Sequence, residues 1–165
     1  MRRRSLILAA GCGLSLALSA CTPALQDVID RAALRSLFGL PSGADLVEYE
    51  GYPPMVGFGQ REGLRLRAVY DFSQAEAVAF LEQARDEGWQ PLPIEAALLI
   101  HIPFQDLSAP LDRTQGLYLC RTAGDEVLHP ASTQDCREVP RMNDLIFGVY
   151  DLLERRVWVS VQAGY

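Results

Sequence analysis

Lysine is absent: all 15 basic residues of the 165-residue chain are arginine. That excludes Schiff-base chemistry and the phosphate-binding lysine of a P-loop. There are only two histidines, His101 and His129, and they show no paired ligand spacing. The chain has four cysteines without a Cys-x-x-Cys pair, and no Gly-x-Ser-x-Gly elbow for a hydrolase nucleophile. Gly57-Phe58-Gly59 followed by Gly63 is one residue too long for a dinucleotide fingerprint, and a strand follows where a helix is needed. There is no internal repeat and no low-complexity tract. No apolar run reaches the roughly 20 residues that span a bilayer. With 49% hydrophobic and 22% charged residues, the composition is that of one globular domain.

The N-terminus carries an address. Arg2, Arg3 and Arg4 precede an uncharged apolar run from Leu6 to Leu18. A basic start followed by a short apolar stretch is the pattern of a secretory signal peptide, and at this length an uncleaved membrane helix is the weaker alternative. Leu18-Ser19-Ala20-Cys21 closes it. This tetrapeptide resembles the lipobox of bacterial lipoproteins at all four positions. The resemblance covers only about the first 25 residues and says nothing about the remainder. It implies a diacylglyceryl thioether on Cys21, cleavage between Ala20 and Cys21, and acylation of the new amine by a palmitate-type chain. Cys12 lacks the preceding leucine. Two or more acyl chains hold a protein firmly where one binds reversibly. Thr22 in place of an aspartate favours the outer membrane of a two-membrane host, on its periplasmic side.

Three segments follow: a signal peptide over 1–20, a lipid anchor and tether with a short helix over 21–43, and a single α+β domain over 44–165. The mature chain from Cys21 loses three arginines and keeps 12 against 21 acids, a formal net charge of −9. Such a surface repels nucleic acid. With Cys12 removed and Cys21 lipidated, Cys120 and Cys136 remain, and in an exported domain they form a disulfide. It would add about 3 kcal/mol on a loop-entropy estimate. A metal site on both cysteines with His129 is the alternative, without a fourth ligand. No metal and no cofactor are expected.

Apolar positions 25, 28, 29, 32, 33 and 37 give a first helix. It has a neutral polar face, so packing on the domain or a loose tether fits better than lying on a bilayer. Leu46 to Glu50 is a short strand, and Leu64 to Phe72 alternates as a half-buried one. Ser73 and Glu76 form a capping box for a helix buried through Ala77, Val78, Phe80, Leu81 and Ala84, closed by Gly88 in a left-handed cap. Trp89 should fold back onto the core. Pro93 to Ile102 fits a short helix or a buried strand. Gly116 to Thr122 is a strand, with Glu126 to His129 as its short partner. Leu145 to Tyr150 and Arg156 to Gln162 form a closing hairpin, although 145–153 also allows a helix. The sum is an α+β fold: an antiparallel sheet of about five strands with one main helix on a face.

Between Gly51 and Gly63, Tyr52, Met55 and Phe58 are large apolar residues in a segment too rich in Gly and Pro for a regular element. They are the candidate partner surface, or a satellite core under the loop. The expected function is that of a non-enzymatic envelope lipoprotein, held to the membrane by its acyl chains, that binds an envelope protein, glycan or lipid. The alternative is a small envelope hydrolase using a carboxylate pair.

Overall fold

Leu145-Ile146-Phe147-Gly148-Val149-Tyr150-Asp151 is a strand buried at every position. A strand that is apolar on both sides lies between two packed layers. The rest of the molecule is arranged around it. The computed structural model describes residues 28–52, 56–57, 60–61, 64–101, 109–124, 126–139 and 144–163. Ala33–Tyr165 forms one compact unit, and the chain up to Ala32 falls in another. No helix among the described residues is long and apolar enough to cross a membrane.

Helix α1 covers 28–37. The strands are β1 (Asp45–Tyr52), β2 (Val56–Gly57), β3 (Gln60–Arg61), β4 (Arg65–Asp71), β5 (Gln90–Pro91), β6 (Gly116–Ala123), β7 (Thr133–Asp135), β8 (Leu145–Asp151) and β9 (Arg156–Gln162). Helices α2 (Gln74–Ala84) and α3 (Ala96–His101) and a 3-10 turn (Cys136–Glu138) complete the fold. The main sheet runs β1-β4-β9-β8-β6-β5, and β7 joins β6 further along the edge that β5 uses. All its pairings are antiparallel. The class is therefore α+β, as the sequence predicts. The sheet has seven strands rather than about five, because β5 and β7 are too short to show alternation.

One face of the sheet presents Leu66, Tyr70, Leu119, Ile146, Tyr150 and Val159 to α2, Trp89, Leu34 and Phe38. Phe80 of α2 is the hub. Its ring meets Phe72 at 5.2 Å, Trp89 at 5.2 Å and Tyr150 at 5.1 Å between centroids. Edge-to-face pairs at such distances add about 0.5–1.5 kcal/mol beyond burial. The capping box forms: Ser73 N–H donates to Glu76 at 2.8 Å, and Glu76 N–H donates to the Ser73 hydroxyl at 3.3 Å. At the other end Gly88 N–H donates to the Arg85 carbonyl and Trp89 N–H to the Ala84 carbonyl, with Gly88 at φ +80°. That pair of hydrogen bonds is a Schellman closure, and it returns Trp89 to the core. Val78 differs from expectation: it is 49% exposed, because α2 buries only the narrow stripe of Ala77, Phe80 and Ala84.

In the first helix, Val28 and Ile29 are exposed while Ala33 and Leu34 are buried. Residues 96–101 form a helix, so the strand alternative for 93–102 is set aside up to His101, and Ile102 lies outside the described residues. Residues 145–151 are a strand, not a helix. The partner of β6 near its end is Thr133–Asp135 rather than Glu126 to His129, which lie in a turn. Val127 and Leu128 are consecutive, yet both pack on the core, which neighbouring strand residues on alternate faces do not do.

Candidate functional site

The second face of the sheet is divided. Over β8 and β6 it is apolar, with Phe147, Val149, Leu145, Tyr118 and Cys120 covered by Ile94, by Leu98 of α3 and by Cys136. Cys120 and Cys136 form a disulfide with Cα atoms 5.5 Å apart. The disulfide pins the 3-10 turn to β6. Asp135 caps that turn, accepting from Arg137 N–H at 2.9 Å and from the Arg137 guanidinium at 2.9 and 2.5 Å. That bonding holds the Asp135 carboxyl below the usual range. Both sulfurs are consumed in the disulfide, which removes the Cys–His129 metal alternative. Among the described residues no cluster of His, Cys, Asp or Glu could hold a metal.

Over β4 and β9 the same face is mixed, with Arg65, Arg67, Asp71, Arg156, Ser160 and Gln162 around the apolar pair Val69 and Trp158. Along β9 the residues turned to it are Arg156, Trp158, Ser160 and Gln162, alternating with buried Val157, Val159 and Val161. The register makes rows across the strands. Gln162 lies between Arg65 and Leu145, Ser160 between Arg67 and Phe147, Trp158 between Val69 and Val149, and Arg156 between Asp71 and Asp151. The β9 side chains therefore stand at a step. The disulfide-stapled apolar layer lies on the β8 side, and β4, with Arg65, Arg67, Val69 and Asp71, on the other.

The row at the β8–β9 turn is structural. Arg156 grips Asp71 through two bonds of 2.5 and 2.8 Å, which lowers the Asp71 carboxyl titration. Asp151 is buried and caps the turn, accepting from Leu153 N–H and Glu154 N–H at 2.8 Å each, and it is ion-paired with Arg113 at 3.3 Å. Among the described residues every carboxylate with a clear titration shift, Asp71, Glu76 and Asp135, is moved down by hydrogen bonding. A general acid needs the opposite shift.

The middle rows differ. Gln162 is 3% exposed and Ser160 5%. The Gln162 amide nitrogen and oxygen and the Ser160 hydroxyl are buried without a hydrogen-bond partner. Each such group costs about 1–3 kcal/mol. The Trp89 indole nitrogen and the Tyr150 hydroxyl are also unpaired, but they sit inside the aromatic core on the opposite face, and burial raises the Tyr150 titration. Beside Ser160, Arg67 reaches Glu50 at 3.6 Å. Trp158 is partly exposed.

Of the residues singled out from sequence, the structure joins Cys120 to Cys136 and places Tyr52 at the end of β1 opposite Arg65. Ala20, Cys21, Met55 and Phe58, and the side chain of Tyr52, lie outside the described residues. The segment expected to hold no regular element contains a two-stranded ribbon, Val56 against Arg61 and Gly57 against Gln60. His129 is exposed in the turn before Pro130. Sequence reasoning missed Ser160 and Gln162. In an alternating strand their polarity marks a solvent face, whereas both are buried.

Comparison with known protein families, with curated proteins and with solved structures finds no match to this chain.

Proposed function

We propose that this chain is an exported lipoprotein, anchored to the envelope by acyl chains on Cys21, whose domain works by binding rather than by catalysis. The observation that carries the compartment is the Cys120–Cys136 disulfide. Such bonds persist in oxidising compartments and are rare where glutathione keeps thiols reduced. The lipobox Leu18-Ser19-Ala20-Cys21 supplies the anchor, and Thr22 the outer-membrane preference. The net charge of the mature chain directs the reading away from nucleic acid and toward an envelope protein, glycan or lipid. The binding class is supported by the lowered carboxylates, which suit ion pairs and caps better than acid catalysis.

Intact-mass measurement of the chain expressed in a bacterial envelope tests the assignment. The wild type should begin at Cys21 and carry acyl mass. Cys21→Ser should retain residues 1–20 and lack acyl mass. A wild-type N-terminus at any other residue overturns the assignment.

A further inference from the structure

We infer that the Leu152–Leu153 turn between β8 and β9 is a second membrane contact, a tip that the tethered domain sets into the lipid surface holding its anchor. The inference rests on the acyl-anchor reading above and adds a surface of the domain itself.

Two consecutive leucines at the end of a hairpin run against the composition of turns, which take Gly, Pro, Asn, Asp and Ser. Leu153 is 74% exposed and Leu152 44%. From Ala33 onward, the described residues hold no other adjacent pair of exposed large hydrophobics. Arg155 closes the turn at φ +51°, a left-handed position that glycine or asparagine fills more easily. The chain thus accepts an unfavourable backbone here while it points two apolar side chains at solvent.

The turn is also ready to lose water. The Leu152 N–H donates to the Gln115 carbonyl at 3.2 Å. The Leu153 and Glu154 N–H groups donate to the Asp151 carboxylate at 2.8 Å each. The Arg155 carbonyl accepts from the Phe72 N–H at 2.8 Å. The charged side chains beside the leucines are engaged too. Arg113 pairs with Glu154 at 2.6 Å and with Asp151 at 3.3 Å, Arg155 donates to Gln74 at 2.9 Å, and Arg156 grips Asp71. Polar groups without partners are what make entry into an apolar phase costly. Here the groups around the leucines carry their partners with them.

Two arguments choose a bilayer over a protein partner. Leucine is among the side chains that enter a bilayer most favourably, whereas it is under-represented among the residues that carry affinity in protein interfaces. The second argument is reach. Cys21 lies twelve residues before Ala33, where the compact unit begins. Fully extended, that chain spans about 40 Å. A unit of this size is itself about 36 Å across. The lipid surface therefore stays within about one domain width. Two leucines would hold a free protein weakly, but tethering makes their insertion an intramolecular step at high effective concentration.

The test uses the acylated chain purified from the envelope and reconstituted in phosphatidylcholine vesicles. With Cys21 acylated and Cys120 bonded to Cys136, Leu153→Cys supplies the one thiol for a nitrobenzoxadiazole label. Gly124→Cys is the control. Gly124 is exposed, has open space where a β-carbon would sit, and follows the end of β6 away from the turn. It lies about 26 Å along the strand from Gly116, which pairs with Asp151. Lipids brominated in their acyl chains should quench the label at Leu153→Cys at least threefold more than the label at Gly124→Cys. Adding Leu152→Glu should reduce that quenching at least threefold at unchanged melting temperature. Leu152→Cys serves where Leu153→Cys does not fold. Equal quenching at the two positions, or none at the turn, overturns the inference. Shielding of the label in native envelopes without quenching in protein-free vesicles assigns the turn to a protein partner and overturns it as well. Intact mass is measured on the same sample. An acylated chain with an unquenched turn leaves the anchor assignment standing, whereas a chain without acyl mass removes both.

Discussion

Gly148 and Trp89 are fitted so closely that a β-carbon on Gly148 would lie 2.7 Å from Cη2 of the indole, with Phe38 next to it at 3.2 Å. Both rings are buried, and the indole is clamped by Phe80 as well. Neither can move aside as the end of a flexible chain would. A glycine in mid-strand usually weakens a sheet, and here it marks the close approach of a large side chain. Gly148→Ala should therefore destabilise the fold by about 1–3 kcal/mol, the usual cost of overpacking. Urea unfolding measures it, and wild-type stability would show that Trp89 is not seated against β8.

The disulfide should be a large contributor for one bond. It ties β6 to a 3-10 turn across a separation of 16 residues. Its sulfurs lie in the apolar layer with Phe147 and Tyr118. Cys120→Ala should cost about 2–4 kcal/mol, which lowers the melting temperature of a domain this size by several degrees. The oxidised protein should resist thiol alkylation until reductant is added. Ready alkylation of the native, unreduced chain would show that the bond is not formed.

Stability should fall in acid through identifiable groups. Asp71 is lowered chiefly by its hydrogen bond from Arg156, and Asp135 by its bond from Arg137. A carboxylate held below its unfolded value contributes stability that is present above pH about 4 and is lost as pH falls through the lower, folded value. Asp71 is substantially exposed, so its share is about 0.5 kcal/mol and shrinks with added salt. Asp71→Asn should lower stability at pH 7 by that amount and flatten the pH dependence below 4. Equal loss for wild type and variant across the acid range would place the effect elsewhere.

Much of the architecture was legible because its causes are local. The Ser73–Glu76 box, the Gly88 closure and the return of Trp89 follow from side chains a few residues apart. The strict alternation of Val157, Val159 and Val161 marks β9, whereas the apolar run of β8 also allows a helix and only its pairing with β6 and β9 decides it. Strands β5 and β7 escaped because two or three residues carry no period, and they exist only by pairing with β6. Residues 126–129 suggest a strand because the Gly-Asp pair before them reads as a hairpin turn, but the segment itself is a turn and Thr133–Asp135 takes the pairing. The candidate site was illegible for another reason. Ser160 and Gln162 alternate as solvent-facing residues do. Both are buried nonetheless, which period-two alternation cannot show.

The segment between β1 and β4 offers a separate test of binding by contact. Tyr52 ends β1 directly opposite Arg65, and Arg65 pairs in turn with Gln162. The chain that carries Met55 and Phe58 thus leaves the sheet at the end where Gln162 stands. Tyrosine, methionine and phenylalanine are enriched in the cores of protein interfaces. A lipid anchor raises the effective concentration of such a surface toward any partner in the same membrane. Truncating Tyr52, Met55 and Phe58 together to alanine should reduce the yield of cross-linked partner in the native envelope severalfold and change unfolding stability by less than about 1 kcal/mol. A loss of several kcal/mol would identify the three side chains as satellite core, since exposed positions away from special features change stability by only about 0.5 kcal/mol. Unchanged cross-linking at unchanged stability would remove this segment from the binding surface.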